Sequence, residues 1–213
     1  VFISHNHYDH FDRVTIQRLA ATGTQIFVPV GLKSTLQSWG VSDNQISEVD
    51  WWQESTFSGL TIVPTPARHY SNRGLFDFKK TLWVSWSVIS SEHRVFFSGD
   101  SGYSSDFAKI GAAYGPFDAT LIKIGAYGPG KFWQDVHMTP EESMQTHLDL
   151  RGKVMVPVHW ATFNLAYHDW REPIQRAIRA AQDKGIRLAT PRIGQMFEPN
   201  EPLPRSKWWE QVK

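Results

Sequence analysis

Three imidazoles and one carboxylate fall within six positions in His5-Asn6-His7-Tyr8-Asp9-His10, directly after the apolar run Val1-Phe2-Ile3. Side chains alternate along extended backbone, so His5 and His7 project the same way and can share one metal ion. Once the chain turns, Asp9 and His10 can reach a second ion beside the first. Imidazole and carboxylate suit zinc, with iron or manganese as the other candidates. A lone histidine is more often a solvated or core residue than a ligand. Four such ligands packed behind a strand reverse that weighting. The remaining coordination must come from elsewhere, and three residues stand where strands are expected to end. They are His69 in Pro66-Ala67-Arg68-His69, Asp100 after Val95-Phe96-Phe97-Ser98-Gly99, and His159 after Val154-Met155-Val156-Pro157-Val158. Gly99 and Gly102 flank Asp100 and would let the backbone approach an ion closely.

Composition supports the same chemistry by exclusion. The 213 residues include nine histidines and no cysteine, so a thiolate nucleophile, a disulfide framework and any Cys-ligated metal are ruled out. Basic and acidic side chains number 22 and 21, a net charge of +1. That balance offers no long-range field for nucleic acid, and no nucleic-acid partner is expected. No apolar run approaches the roughly 18 residues of a membrane-spanning helix, and residues 1–11 lack the apolar stretch of a signal peptide. The absence of cysteine does not decide the compartment, so location stays unknown, with a cytoplasmic or membrane-peripheral one favoured. Ten tryptophans, some paired as Trp51-Trp52 and Trp208-Trp209, suit packing, or peripheral contact with lipid where lysines lie beside them.

The elements that must position these residues follow from periodicity and caps. Asp12 should cap a helix running to about Ala21, with Gly23 just beyond. A strand at Gln25–Pro29, a helix at Leu32–Trp39 closed by Gly40, and strands at Ile46–Asp50 and Phe57–Pro64 come next. Residues 65–80 have no periodicity and read as a long functional loop. A hairpin at Leu82–Ser90 and Arg94–Ser98 leads into strand–helix alternation: helix Asp106–Tyr114, strand Ala119–Ile124, helix Pro140–Leu150, strand Val154–Val158, helix Glu172–Lys184. Thr139-Pro140-Glu141-Glu142 is a strong helix start. Short strands are expected near Arg187–Ala189 and Gln195–Phe197. The order implies an α/β or α+β layered sheet, with one domain over 1–198 and an extended surface tail over 199–213.

The HNHYDH hexapeptide, the PARH loop, the GDSGY turn and the PVHW strand end resemble the metallo-β-lactamase superfamily. Within it, Gly125-Ala126-Tyr127, the Val136-to-Glu142 segment and His159-Trp160-Ala161-Thr162-Phe163 resemble the branch of N-acyl-phosphatidylethanolamine-hydrolysing phospholipase D and its bacterial relatives. The resemblance implies an α/β fold, the αβ/βα four-layer sandwich. It implies two zinc ions, His5, His7 and His69 on the first, Asp9, His10 and His159 on the second, and Asp100 bridging. That fold supplies several strands before the motif, whereas this sequence opens in mid-strand. A fragment or processed chain lacking N-terminal strands is therefore expected.

Two metals about 3.5–4 Å apart acidify a shared water, and the resulting hydroxide would attack phosphorus in line. The expected activity is that of a phosphodiesterase on a small-molecule or lipid substrate, with a lactonase or a non-catalytic zinc-binding scaffold as alternatives. Asp9 could also orient the nucleophile or take its proton. His137 could hold phosphate or assist the leaving group, or merely precede the helix at Thr139. Tyr8, Arg68, Arg73, Tyr127, Trp133 and His168 are the substrate-binding candidates. Arg68 and Arg73 could instead pair with Asp77, while His93 and His147 read as structural or solvated.

Overall fold

The computed structural model describes residues 1–212. Its elements run α1 (Arg13–Ala20), β1 (Ile26–Pro29), α2 (Lys33–Ser38), β2 (Ile46–Val49), β3 (Ser55–Phe57), β4 (Leu60–Pro66), β5 (Val84–Ile89) and β6 (Arg94–Phe97). Then come α3 (Asp106–Tyr114), β7 (Ala119–Lys123), α4 (Lys131–Val136), α5 (Pro140–Asp149), β8 (Val154–Val158) and α6 (Glu172–Asp183). Local chemistry explains the best-anticipated boundaries. The Asp12 carboxylate accepts from Thr15 N at 2.7 Å to start α1. At α5, Thr139 and Glu142 form a reciprocal capping box with Pro140 in the first turn.

Strands β3 to β8 form a six-stranded sheet in sequence order, antiparallel from β3 to β6 and parallel from β6 to β8. Strands β1 and β2 pair in parallel as a second, small sheet, which residue Phe2 joins through a bridge to Phe27. Three apolar clusters stack these pieces into four layers. Ile16, Ile26, Val28, Leu36 and Ile46 seal α1 and α2 onto the small sheet. Phe27, Val49, Ile62, Val84 and Trp86 fill the space between the sheets. Phe96, Phe107, Ile122, Met144, Met155 and Ile174 pack α3, α5 and α6 on the outer face of the large sheet. This is the αβ/βα sandwich.

Four expectations need correction. The run Phe57–Pro64 is not one strand: Ser58 and Gly59, both at positive φ, turn the chain between β3 and β4. The expected strand near Arg187 is a single bridge from Met155 to Leu188, and residues 195–197 form no strand. The segment after Pro199 opens with a turn, in which Glu201 N donates to Glu198 O, and ends in a 3-10 turn, Trp208–Gln211. That turn buries Trp209 against Trp160 and the outer core.

Candidate metal centre

Strands β4, β6, β7 and β8 point the same way, so the residues following them collect along one edge of the large sheet. His69 follows β4, Asp100 follows β6 and His159 follows β8. The His5–His10 segment arrives from the small sheet, because Ile3 N donates to Phe27 O and Val84 N donates to Ser4 O. Two glycines permit this crowding. A Cβ on Gly99 would lie 2.7 Å from Val84 O and 2.8 Å from Ser4 Cβ. A Cβ on Gly125, just beyond β7, would lie 2.3 Å from His159 O. The space saved at Gly99 thus goes to neighbouring segments of the same chain rather than to an ion. His159 adopts φ 59°, a left-handed conformation that costs a residue with a Cβ and is typical of functional sites.

All seven predicted ligand side chains converge. His7 Nδ1 lies 2.8 Å from His5 Nε2 and 3.2 Å from His69 Nε2. Beside this group, His10 Nε2 is 3.1 Å from His159 Nε2 and 3.3 Å from Asp9 Oδ2. Asp100 Oδ2 faces both groups, at 3.7 Å from His69, 3.6 Å from His10 and 3.5 Å from His159. The donor set fits metal ions. Zinc–nitrogen bonds of about 2.0–2.1 Å at tetrahedral angles separate two ligating nitrogens by about 3.3 Å, close to these spacings. Two of the outward nitrogens are steered as metal ligands are: His5 Nδ1 meets Ser4 Oγ at 3.0 Å and His69 Nδ1 meets Val136 O at 3.1 Å, whereas His159 Nδ1 is buried without a partner.

Electrostatics put five of these side chains in binding-competent states. Burial lowers the pKa of His5 and His7 and pushes His69 down to about 3, leaving neutral imidazoles. Burial opposes ionisation of Asp100 too, but the Lys123 ammonium and His159 hold its pKa well below the carboxylate range. Asp9 is likewise kept ionised against burial by His10 and His159. His10 is the exception. Burial disfavours its charge, yet hydrogen bonds to Asp100 and Asp9 outweigh that and raise it to about 9. A cation bound there would displace that proton.

The beta-lactamase superfamily domain matches residues 1–160 of the chain. The chain belongs to the metallo-β-lactamase superfamily. An uncharacterized protein of Mycobacterium tuberculosis is 45% identical over 213 residues, covering 98% of this chain and 56% of that protein. The N-acyl-phosphatidylethanolamine-hydrolyzing phospholipase D 1 of Caenorhabditis elegans is 34% identical over 214 residues, covering 93% of this chain and 60% of that protein. The chain thus spans a little over half the length of these relatives. Among solved structures, Igni18, a metallo hydrolase of Ignicoccus hospitalis, superposes with a TM-score of 0.68 at 24% identity. It covers 94% of this chain and 76% of that one, a likeness of fold.

Around this superfamily centre, the other singled-out residues separate into two sets. His137 and Trp133 belong to the site. They line its cavity of about 210 Å³ with Tyr70 and Phe132, and His137 Nδ1 is 3.1 Å from Asp100 Oδ1. Tyr127 and His168 stack at 4.3 Å, and His168 Nε2 accepts from Ala126 N at 3.0 Å. His168 lines an adjoining cavity of about 270 Å³ that shares Asp9, Ala126 and His159 with the first. Tyr127 donates to Glu172 at 2.9 Å under the Arg176 guanidinium.

The remaining candidates hold the scaffold. Arg73 Nη1 donates to Asn6 O at 3.0 Å and Phe11 O at 2.8 Å, clamping the two ends of the motif turn. Its guanidinium lies 4.0 Å over the exposed Tyr8 ring. Asp77 accepts from the Arg73 backbone rather than its guanidinium. Arg68 pairs with Asp135 and also reaches Tyr103 O, so neither arginine meets Asp77 as an ion pair. Sequence reasoning missed Lys123. It closes β7 with a fully buried side chain, and its Nζ lies 2.8 Å from Asp100 Oδ1. A lysine between Ile122 and Ile124 in a buried strand was the available signal, since such a charge must find a partner.

Proposed function

We propose that this chain carries the centre of a dinuclear metal-dependent hydrolase acting on phosphodiesters, with lipid phosphodiesters as the favoured substrates. The supporting observation is that a single carboxylate oxygen, Asp100 Oδ2, faces two adjoining ligand groups that open on one cavity. His5, His7 and His69 would hold one ion, Asp9, His10 and His159 the other, and Asp100 both. Zinc suits this set best, with iron or manganese as alternatives. Two such ions, when bound, supply Lewis acidity and a water acidic enough to react near neutral pH.

The chain's own residues then divide the work. Asp9, ionised and partly open to the cavity, is placed to orient the attacking water. His137 faces the same cavity and can hold a phosphate oxygen or protonate the leaving group. The lipid preference rests on the surroundings. Phe78 packs on Tyr70 at 5.7 Å, and Phe78, Phe132, Phe163 and Leu165 are all exposed apolar side chains. Phe132 and Leu165 line the metal cavity itself, and Phe163 lines the adjoining one. A concentration of apolar surface beside a polar centre fits an acyl-bearing substrate, or contact with a lipid surface. The Caenorhabditis elegans relative named for hydrolysing such a phospholipid supports the same choice.

Metal analysis together with turnover tests this reading. Two zinc ions per chain are expected. Hydrolysis of bis-p-nitrophenyl phosphate and of N-acyl-phosphatidylethanolamine vesicles should stop on chelation and return with zinc. Turnover of a lactone with none of either phosphodiester would sink it, as would fewer than about one zinc per chain.

A further inference from the structure

Lys123 stands behind the ligand shell, and Asp100 divides its two oxygens between that lysine and the metal groups. Oδ1 meets Lys123 Nζ at 2.8 Å and His137 Nδ1 at 3.1 Å. Oδ2 is left to His159, His10 and His69. The lysine is itself fixed. Its backbone N–H donates to Ser98 Oγ at 3.1 Å, and its carbonyl accepts from Ser143 Oγ at 2.6 Å. The Nζ also touches His137 Nδ1. An ammonium with no exposure is strongly unfavourable without a counter-charge, and Asp100 is the carboxylate in reach.

We propose that Lys123 is a positioning residue of the metal centre. Its ammonium pins Asp100 Oδ1 so that Oδ2 alone is presented to both ligand groups, and it balances the Asp100 charge in the metal-free protein. This rests on the dinuclear reading above. Released from Lys123, the carboxylate could rotate about its Cβ–Cγ bond and turn both oxygens to one group, so the shared ligand would be lost. The pairing also explains how a carboxylate can wait, buried and ionised, in the folded chain before any cation arrives. Removing an outer partner of a ligand typically weakens metal binding by roughly 10- to 100-fold.

The test is a double-mutant cycle read by zinc affinity, in chelator competition, and by urea unfolding of the metal-free proteins. Lys123→Met is expected to weaken at least one of two zinc ions by roughly tenfold or more and to lower the metal-free urea midpoint. In an Asp100→Asn background the same Lys123→Met change should have a much smaller effect on both readouts. A lysine that only fills space would cost the same in either background, and that additivity would overturn the proposal. So would unchanged zinc affinity in Lys123→Met when the unsubstituted protein binds two ions. If Lys123→Met cannot fold while Lys123→Met/Asp100→Asn can, the pairing is supported in its strongest form. Failure of both to fold overturns it. If the unsubstituted protein binds fewer than two ions, the dinuclear reading fails first and this one falls with it.

Discussion

The parallel strands β6, β7 and β8 carry an aspartate–lysine pair at each end, and the two pairs have the same length. Beyond the carboxyl ends, Lys123 and Asp100 meet at 2.8 Å with side-chain exposures of 0% and 5%. At the amino ends, Lys153 and Asp118 also meet at 2.8 Å, with exposures of 53% and 12%. Each end holds a shielded histidine as well, His147 buried and His10 partly so. His10 sits among carboxylates and is raised to about 9, whereas His147, with Thr120 Oγ1 at 2.7 Å, is pushed by burial down to about 4. Equal distances therefore conceal opposite situations. One end gathers largely buried, convergent charge that suits ions, and the other keeps its lysine in water and its histidine neutral. Ligands bind beyond the carboxyl ends in open α/β sheets generally, and here the two ends can be compared within one molecule.

The sharpest way to break the comparison is to remove each aspartate. Asp100→Ala should lower hydrolysis of bis-p-nitrophenyl phosphate by more than about a hundredfold, beyond the range for an outer-sphere partner, and should reduce zinc content. Asp118→Ala should leave initial rates within about twofold. Comparable losses in both would mean that Asp100 acts through the sheet rather than at the site.

The histidine contrast makes a pH prediction of the next size. His147 has a folded-state pKa near 4 against an ordinary 6.5, so the unfolded chain binds its proton more readily. Its contribution is fully present above pH 6.5 and is lost as the pH falls from there towards 4, up to about 3 kcal/mol. In urea unfolding of the metal-free protein, His147→Gln should flatten that part of the acid decline. An unchanged pH profile in the variant would remove His147 from the account.

Residue type made the metal end legible in the sequence, and partners hid the rest. Coordination admits few side chains, so His5, His7, Asp9, His10, His69, Asp100 and His159 stand out before any fold is known. Lysine carries no such restriction, and the role of Lys123 depends on Asp100, 23 positions away along the chain. Arg73 shows the reverse error: a guanidinium suited to phosphate is occupied by the carbonyls of Asn6 and Phe11. Among the elements, β8 and α3 fall at the expected bounds, β8 as an unbroken apolar run and α3 as a helical segment. Helix α4 spans only six residues between Gly130 and His137, too short for a helical period to declare itself. The burial of Trp209 is a tertiary event that a Pro-rich tail does not advertise.

A matched pair of glycines sharpens the contrast at a smaller scale. Gly125 leads away from β7 at the metal end, and Gly152 precedes β8 at the other. An added Cβ would lie 2.3 Å from His159 O in the first case and 2.5 Å from His147 Cε1 in the second. Each alanine substitution should cost roughly 1–3 kcal/mol as overpacking. Only Gly125→Ala should also reduce zinc affinity, because it displaces the backbone of His159, a proposed ligand. Equal zinc affinity in the two variants would show that the His159 backbone adjusts freely.

The smallest effect is expected where the two pairs look most alike. Lys153→Met removes an ammonium that is more than half exposed, so water and salt already screen its attraction to Asp118, and such pairs contribute about 0–1 kcal/mol. Asp118 keeps a partner after the change, since Arg94 N donates to its Oδ2 at 2.8 Å. The urea midpoint should therefore shift little, and still less at high salt. A loss of several kcal/mol would mean that ion-pair length matters more than exposure here. The distinction drawn between the two ends of the strands would then have to rest on the histidines alone.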